Sequence, residues 1–357
     1  MKLDTTELLS RNKLERLLHY GREDLKSFAD RAATLYRPFD TLAARKRKWR
    51  HIDNPTEGLR KLQRVIARRL FREFEFPPGM VGGVRGKRLT DAAEPHVGQR
   101  WVLSLDLKDC FHRVSDEAVY RALVRHRLCG HHVAQLITEI STLHHRLPQG
   151  APTSSALANL SLIDMHAEIR RLCQREGLRY TIFVDDISVS GNRAREVAGE
   201  IIDIVERHGH AVGARKKQLA GANRHQAVLG LGTNRKLSIP HERLSKLFDD
   251  IMGCLDLADI KRSRLQSLEG RVRSIQDVDP KQGERFRHYL LENTPEIVIE
   301  DEPVKLRRDL YRECPGHEQP HGATDEERVR AAEADSRYRE LISSFGSSGP
   351  SSARSSR

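Results

Sequence analysis

The sequence predicts an α+β chain: a basic helical N-terminal part, a central antiparallel sheet with helices, and a helical C-terminal part. Three observations predict it. RYTIFVDDISVSG at 179–191 sets two strand-like runs around Asp185 and Asp186, which reads as a hairpin. WVLSLDL at 101–107 reads as a further strand. Beyond Pro240, Leu244, Leu247, Phe248, Ile251 and Met252 recur at helical spacing.

The elements follow in order. Residues 1–76 read as helical and basic, closed by Pro77-Pro78-Gly79. Within them Leu59, Leu62, Ile66 and Leu70 mark one helical face, with Lys61, Arg64, Arg68 and Arg72 elsewhere on it. VGGVRGKRLT at 81–90 reads as a Gly-rich turn feeding a short strand. SDEAVYRALVRH and HHVAQLITEISTL read as helices, the first capped by Ser115. LPQGAPTS at 147–154 reads as a loop opening one long helix, SSALANLSLIDMHAEIRRLCQREG. REVAGEIIDIVERHG is amphipathic through Val197, Ile201, Ile204 and Val205, and QAVLGLGTNRKLSI reads as a second hairpin. A boundary is expected near 238–242, and the Ser/Gly/Arg-rich end is expected to be disordered.

Charge narrows the function classes. Of 357 residues, 62 are Lys or Arg and 50 Asp or Glu, a formal net charge of +12. From Arg45 to Arg72 eleven cations face only Asp53 and Glu57, so this stretch supplies most of the excess. Its RKRKWRH run sets Trp49 among the cations. A polyanionic partner, nucleic acid before membrane, is the expectation. Five scattered cysteines predict no disulfide framework. The charged N-terminus is unlike a signal peptide, and no apolar run approaches a membrane span, so a cytoplasmic chain without membrane contact is expected.

Two adjacent carboxylates are by themselves common at turns. A third gives the pair meaning: Asp106 ends a strand 79 residues earlier. Strands laid side by side bring Asp106, Asp185 and Asp186 to one sheet edge, where their mutual repulsion calls for cations. Oxygen-only ligands suit magnesium, and two such ions serve phosphoryl or nucleotidyl transfer.

The motifs in order resemble those of a bacterial reverse transcriptase of the retron and group II intron type, over roughly residues 45–290. DLKDCF, LPQGAPTSSALANL, FVDD, GHAVGARKK and VLGLGTNRKLSIP resemble its successive palm motifs, and GKRLTDAAEPHVG an upstream bacterial element. The resemblance implies the right-hand polymerase fold: N-terminal helices and basic fingers over 1–100, an antiparallel-sheet palm over 101–239, a helical thumb over 240–295 and a tail over 296–357. It implies that Asp106, Asp185 and Asp186 hold two Mg2+ ions and that Lys216 protonates the departing pyrophosphate. Phe111 would exclude a 2′-hydroxyl, Gln149 and Gly150 would line the nucleotide pocket, and Lys87 and Arg88 would clamp the triphosphate. Arg64, Arg68, Arg72, Lys261, Arg262 and Arg264 are the expected nucleic-acid contacts.

The implied function is RNA-directed DNA synthesis from dNTPs on a dedicated structured non-coding RNA, in a retron-like anti-phage system. The implied partners are that RNA, the RNA–DNA product and a separate effector protein. The sequence leaves open a defence reverse transcriptase with untemplated or protein-primed synthesis, and a non-catalytic RNA-binding module. It departs from the usual pattern at Ala92, Cys110, Phe183, Val184 and Leu229.

Overall fold

The computed structural model describes residues 10–43, 48–72, 74–213, 217–254, 257, 259–295 and 298–299. The chain divides into two compact units, Met1–Leu237 and Ser238–Arg357.

The first unit begins with α1 (Arg11–Leu18) and α2 (Arg22–Arg31), followed by the antiparallel strands β1 (Phe39–Ala43) and β2 (Lys48–Ile52). Here the expectation of an all-helical N-terminus is corrected. The cations of the RKRKWRH run obscure β-forming residues: Phe39 pairs with Ile52, and Leu42 with Trp49. Helix α3 (Glu57–Leu70) is as expected, burying Leu59, Leu62, Ile66 and Leu70.

A second correction concerns VGGVRGKRLT. It leads into a short helix, α4 (Leu89–Ala93), and not a strand. The backbone N–H of Arg88 donates to the Asp91 carboxylate at 2.7 Å, which closes the helix start.

The central sheet is built from β3 (Trp101–Asp106), β4 (Arg179–Phe183), β5 (Asp186–Gly191) and β6 (Gln218–Gly221), in the order β4-β5-β3-β6 and antiparallel throughout. Leu103, Leu105, Ile187 and Val189 are buried to 1 % exposure or less. Strand β5 is covered on both faces, from Ile187 to Gly191. Between β3 and β4 run α5 (Cys110–Arg113), α6 (Asp116–Arg125), α7 (His131–Ser141), α8 (Ser154–Ser161) and α9 (Ile163–Arg175). Ser115 caps α6 by accepting from Ala118 N–H at 3.1 Å. The single long helix expected after LPQGAPTS is two, broken at Leu162.

Helix α10 (Ala198–Arg207) lies on α9, and the residues that predicted it are buried. Strands β7 (Ala227–Val228) and β8 (Leu231–Gly232) form the second hairpin. Both residues of its turn have positive φ, Leu229 at 53° and Gly230 at 75°, as a primed turn requires.

One buried imidazole fastens the α4 region to the sheet. His96 bonds Thr181 Oγ1 through Nε2 at 2.8 Å and Ser190 Oγ through Nδ1 at 2.6 Å. The Thr181 hydroxyl already donates to the Ala92 carbonyl, so Nε2 carries the proton and Nδ1 accepts. Burial lowers the His96 pKa from 6.5 to about 4.

The second unit packs α11 (His241–Met252), α12 (Arg262–Gln276) and α13 (Pro280–Asn293) around Leu247, Phe248, Ile251, Val272, Ile275 and Phe286. A short parallel pair, β9 (Ile260–Lys261) with β10 (Val298–Ile299), accompanies them. Among the described residues no helix is long and apolar enough to cross a membrane.

Candidate active site

Asp106 and Asp186 are register partners across β3 and β5. Phe183 pairs with Asp186, so Val184 and Asp185 form the two-residue turn between β4 and β5. The amide of Leu107 donates to the Asp185 carbonyl at 2.8 Å, which draws the turn against the end of β3. The fold therefore does bring all three aspartates to one end of the sheet. Asp106 is 8 % exposed, while Asp185 and Asp186 are partly exposed.

The turn itself is strained. Val184 has φ 59°, a left-handed conformation that disfavours a β-branched residue, and its side chain is buried. Such outliers cost about 1–3 kcal/mol and persist where the surroundings impose them.

The negative charge of this sheet end is felt next door. The Cys110 thiol, at the start of α5, is pushed up to about 12, first by burial and then by the charges of Asp185 and Asp106. Among the described residues no three His, Cys, Asp or Glu side chains close into a ready-made metal cage. The expected carboxylate cluster is thus open. Its chemistry still fits magnesium, which takes one or two carboxylates and fills its shell with water and phosphate oxygens.

Phe111 follows Cys110 on α5 and is half-buried against the edge of the core. Gln149 and Gly150 belong to a loop braced by residues that sequence reasoning missed. The Asp53 amide donates to the Gln149 carbonyl at 2.8 Å, and the Gln149 amide donates to the Asp53 carboxylate at 3.0 Å. Asp53 is 5 % exposed, with His51 Nε2 at 3.4 Å and His112 Nε2 at 3.9 Å from its carboxylate. Gly150 has φ 122°, and a Cβ there would come within 2.9 Å of Ile52 and 3.2 Å of the Asp53 carbonyl oxygen. Ser154 donates to the Pro148 carbonyl at 2.7 Å, fastening the loop from its other end. The one signal in the sequence was that Asp53 is one of only two acids in a strongly cationic stretch.

The remaining expected residues are more dispersed. Lys87 and Arg88 are exposed, and Arg88 also lies within 3.9 Å of the Asp91 carboxylate. Lys216 lies outside the described residues. Arg64 and Arg68 are exposed on α3, and Arg72 is exposed just after it. In the second unit Lys261, Arg262 and Arg264 are exposed near the start of α12. Arg264 donates to the Gly253 carbonyl at 3.2 Å and Arg271 pairs with Asp250, so these two also tie α12 to the α11 end.

The family model for reverse transcriptase (RNA-dependent DNA polymerase) matches residues 41–218, the span that holds all three aspartates. This chain belongs to the reverse transcriptase family. Curated relatives place it with the bacterial retron type. It is 26 % identical over 251 residues to the retron Ec86 reverse transcriptase of Escherichia coli, covering 68 % of this chain and 76 % of that one. It is 30 % identical over 276 residues to the retron Mx65 reverse transcriptase of Myxococcus xanthus, covering 70 % and 64 %. The retron Se72 reverse transcriptase of Salmonella heidelberg is 25 % identical over 213 residues, covering 58 % and 55 %. The chain thus spans between about half and three quarters of these relatives' lengths. Among solved structures, a foamy viral protease-reverse transcriptase in complex with double-stranded DNA is 16 % identical with a TM-score of 0.43, covering 85 % of this chain and 44 % of that one. The reverse transcriptase is an RNA-directed DNA polymerase by family, its antiparallel sheet with helices is the mixed α+β architecture that the sequence predicted, and the family works with divalent metal ions on RNA and DNA.

Proposed function

We propose that this reverse transcriptase copies a dedicated structured non-coding RNA into DNA, in the cytoplasm, as the polymerase of a retron-like anti-phage system with a separate effector protein. The observation that carries the reading is the register of β3 and β5, which sets Asp106 opposite Asp186 with Asp185 in the adjoining turn. In this reading Asp106, Asp185 and Asp186 hold two Mg2+ ions. When bound, the ions lower the pKa of the attacking 3′-hydroxyl and neutralise the developing charge on the phosphates.

The protein's own groups do the rest. Asp106, being buried, offers a fixed carboxylate, while the two half-exposed aspartates face the incoming nucleotide. Phe111 stands beside them as the wall that rejects a 2′-hydroxyl. The Gln149–Gly150 loop orients the nucleotide, Lys87 and Arg88 meet its triphosphate, and Lys216 returns a proton to the pyrophosphate. Residues 1–100 then serve as N-terminal helices and fingers, 101–239 as palm, 240–295 as thumb and 296–357 as tail. Arg64, Arg68 and Arg72 meet nucleic-acid phosphates from the fingers, and Lys261, Arg262 and Arg264 from the thumb.

Sequencing the nucleic acid that copurifies with the protein, before and after RNase treatment, tests this. One structured RNA joined to complementary DNA is the expected result. DNA without a complementary RNA means untemplated synthesis, and RNA alone in the presence of dNTPs and Mg2+ means a binding module; either overturns the proposal.

A further inference from the structure

Residues 79–83 run along the free edge of β4. Val81 N–H donates to the Ile182 carbonyl at 2.9 Å, and Ile182 N–H donates to the Gly79 carbonyl at 2.7 Å. Met80 and Ile182 form a parallel bridge. The segment then passes against the strained turn. A Cβ built at Gly82 would lie 2.6 Å from the Val184 nitrogen and 2.7 Å from Cα and C of Phe183. These are backbone atoms, so any side chain at 82 has to displace the turn or be displaced by it.

The segment is in turn held from the other side. Asn159, 1 % exposed on α8, donates from Nδ2 to the Gly82 carbonyl at 2.6 Å. Gly83 has φ 71°, and a Cβ there would lie 3.1 Å from Ser155 Cβ. A short bridge of touching groups therefore runs from α8 through Asn159 and Gly82 to Val184, the residue before Asp185. A two-residue hairpin turn calls for positive φ at its first position, but a β-branched residue disfavours it, so Val184 at φ 59° is held there against its own preference and packed neighbours help to hold it.

We infer that Gly82 and Asn159 are positioning residues: Gly82 admits the turn at one height, and Asn159 fixes Gly82, so together they set where the Asp185 and Asp186 carboxylates stand. This rests on the proposed reading of those aspartates as metal ligands. Gly82 acts by lacking a side chain, and Asn159 by one buried donor. Neither is assigned a touch on substrate.

The test uses the full-length protein with its RNA. Gly82→Ala, Asn159→Ala, Asp186→Asn and the double variant Gly82→Ala/Val184→Gly are compared with wild type. Four quantities are read: single-turnover DNA synthesis against Mg2+ concentration, direct Mn2+ binding from the decline of the free-Mn2+ spin-resonance signal, RNA affinity and the thermal midpoint. Gly82→Ala is expected to slow synthesis at least tenfold and to weaken Mn2+ binding several-fold, with RNA affinity within twofold of wild type. Asn159→Ala is expected to move both metal readouts the same way, at least threefold. Val184→Gly in the Gly82→Ala background is expected to restore much of the Mn2+ binding, since glycine lets the turn adopt another conformation.

Wild-type Mn2+ binding and rate in folded Gly82→Ala and Asn159→Ala would overturn the inference. So would effects confined to RNA affinity or to the thermal midpoint. If Gly82→Ala does not fold, Asn159→Ala decides alone by the same criterion. Asp186→Asn separates the two levels. Should it keep wild-type metal binding and rate, the reading of the aspartates falls; should it lose both while the positioning variants lose neither, only the inference falls.

Discussion

Asp53 and Gln149 hold each other twice, amide to carbonyl at 2.8 Å and carboxylate to amide at 3.0 Å, across a separation of 96 residues. The end of β2 and the LPQG loop are thereby one structure. Asp53→Ala removes the carboxylate half of this pair and leaves the Gln149 amide without that acceptor. A hydrogen bond to a charged group contributes about 1.5–3 kcal/mol. The variant is expected to lose stability in that range and to raise the KM for dNTPs with a smaller effect on kcat. Steady-state kinetics beside urea unfolding checks it; an unchanged KM in a destabilised protein would make Asp53 purely structural.

Phe111 follows Cys110 on α5, the first helix after Asp106, and in the proposed reading its ring meets the sugar of the incoming nucleotide. Leaving a ribose 2′-hydroxyl desolvated and unpaired against that ring costs about 1–3 kcal/mol, a discrimination of about five- to 150-fold. Phe111→Val is expected to raise ribonucleotide incorporation by that order, with a smaller effect on deoxynucleotides. Single-nucleotide addition with matched ribo- and deoxynucleotides reads the ratio. Equal discrimination by both enzymes would leave Phe111 as core alone.

The exposed face of α3 gives a salt prediction. Replacing Arg64, Arg68 and Arg72 by Gln is expected to weaken RNA binding. The log–log slope against salt should flatten by roughly 0.7–0.9 for each phosphate that is no longer neutralised. Filter binding across a salt series measures it, and an unchanged slope would mean these cations only solvate the helix.

His96 gives a pH prediction with a definite sign. Its folded pKa is depressed, from 6.5 to about 4, by burial. Between these values the unfolded chain binds the proton and the folded one does not. Its contribution is therefore present above about pH 6.5 and is lost as pH falls toward 4, at about 1.4 kcal/mol per pH unit. His166, buried and lowered to about 3, acts in the same direction. Urea unfolding of the wild type and of His96→Asn from pH 7 to 5 checks this: the variant is expected to be less stable at pH 7 but to show a shallower decline. Equal slopes would contradict it.

Much of the sheet was legible because β3, β4 and β5 are runs of apolar and β-branched residues ending at Asp106 or flanking Asp185 and Asp186. Strand β6 was not, since four residues at a sheet edge, half exposed, carry no usable alternation. The hairpin of β1 and β2 was obscured by its cations. The break at Leu162 was silent because apolar periodicity continues through it from α8 to α9. At the site, the three aspartates carried their own signal in the order and spacing of the motifs. Gly82 and Asn159 carried none, and Asp53 only that of an acid among cations, because each acts on residues far along the chain. The Gly82 partners Phe183 and Val184 lie about a hundred positions away, and a glycine announces permissiveness without naming its neighbour.

Asp106, Asp185 and Asp186 are proposed above all to act together through divalent metal in DNA synthesis. The most direct measurement is single-turnover DNA synthesis on the copurifying RNA by wild type and by Asp106→Asn, Asp185→Asn and Asp186→Asn, with and without EDTA, alongside RNA affinity. Each substitution, and EDTA, is expected to lower synthesis by orders of magnitude while RNA affinity stays within about twofold, since each removes a metal ligand or the metal itself and leaves the phosphate-binding cations in place. Wild-type synthesis in EDTA, or full synthesis by any of the three variants, would contradict it.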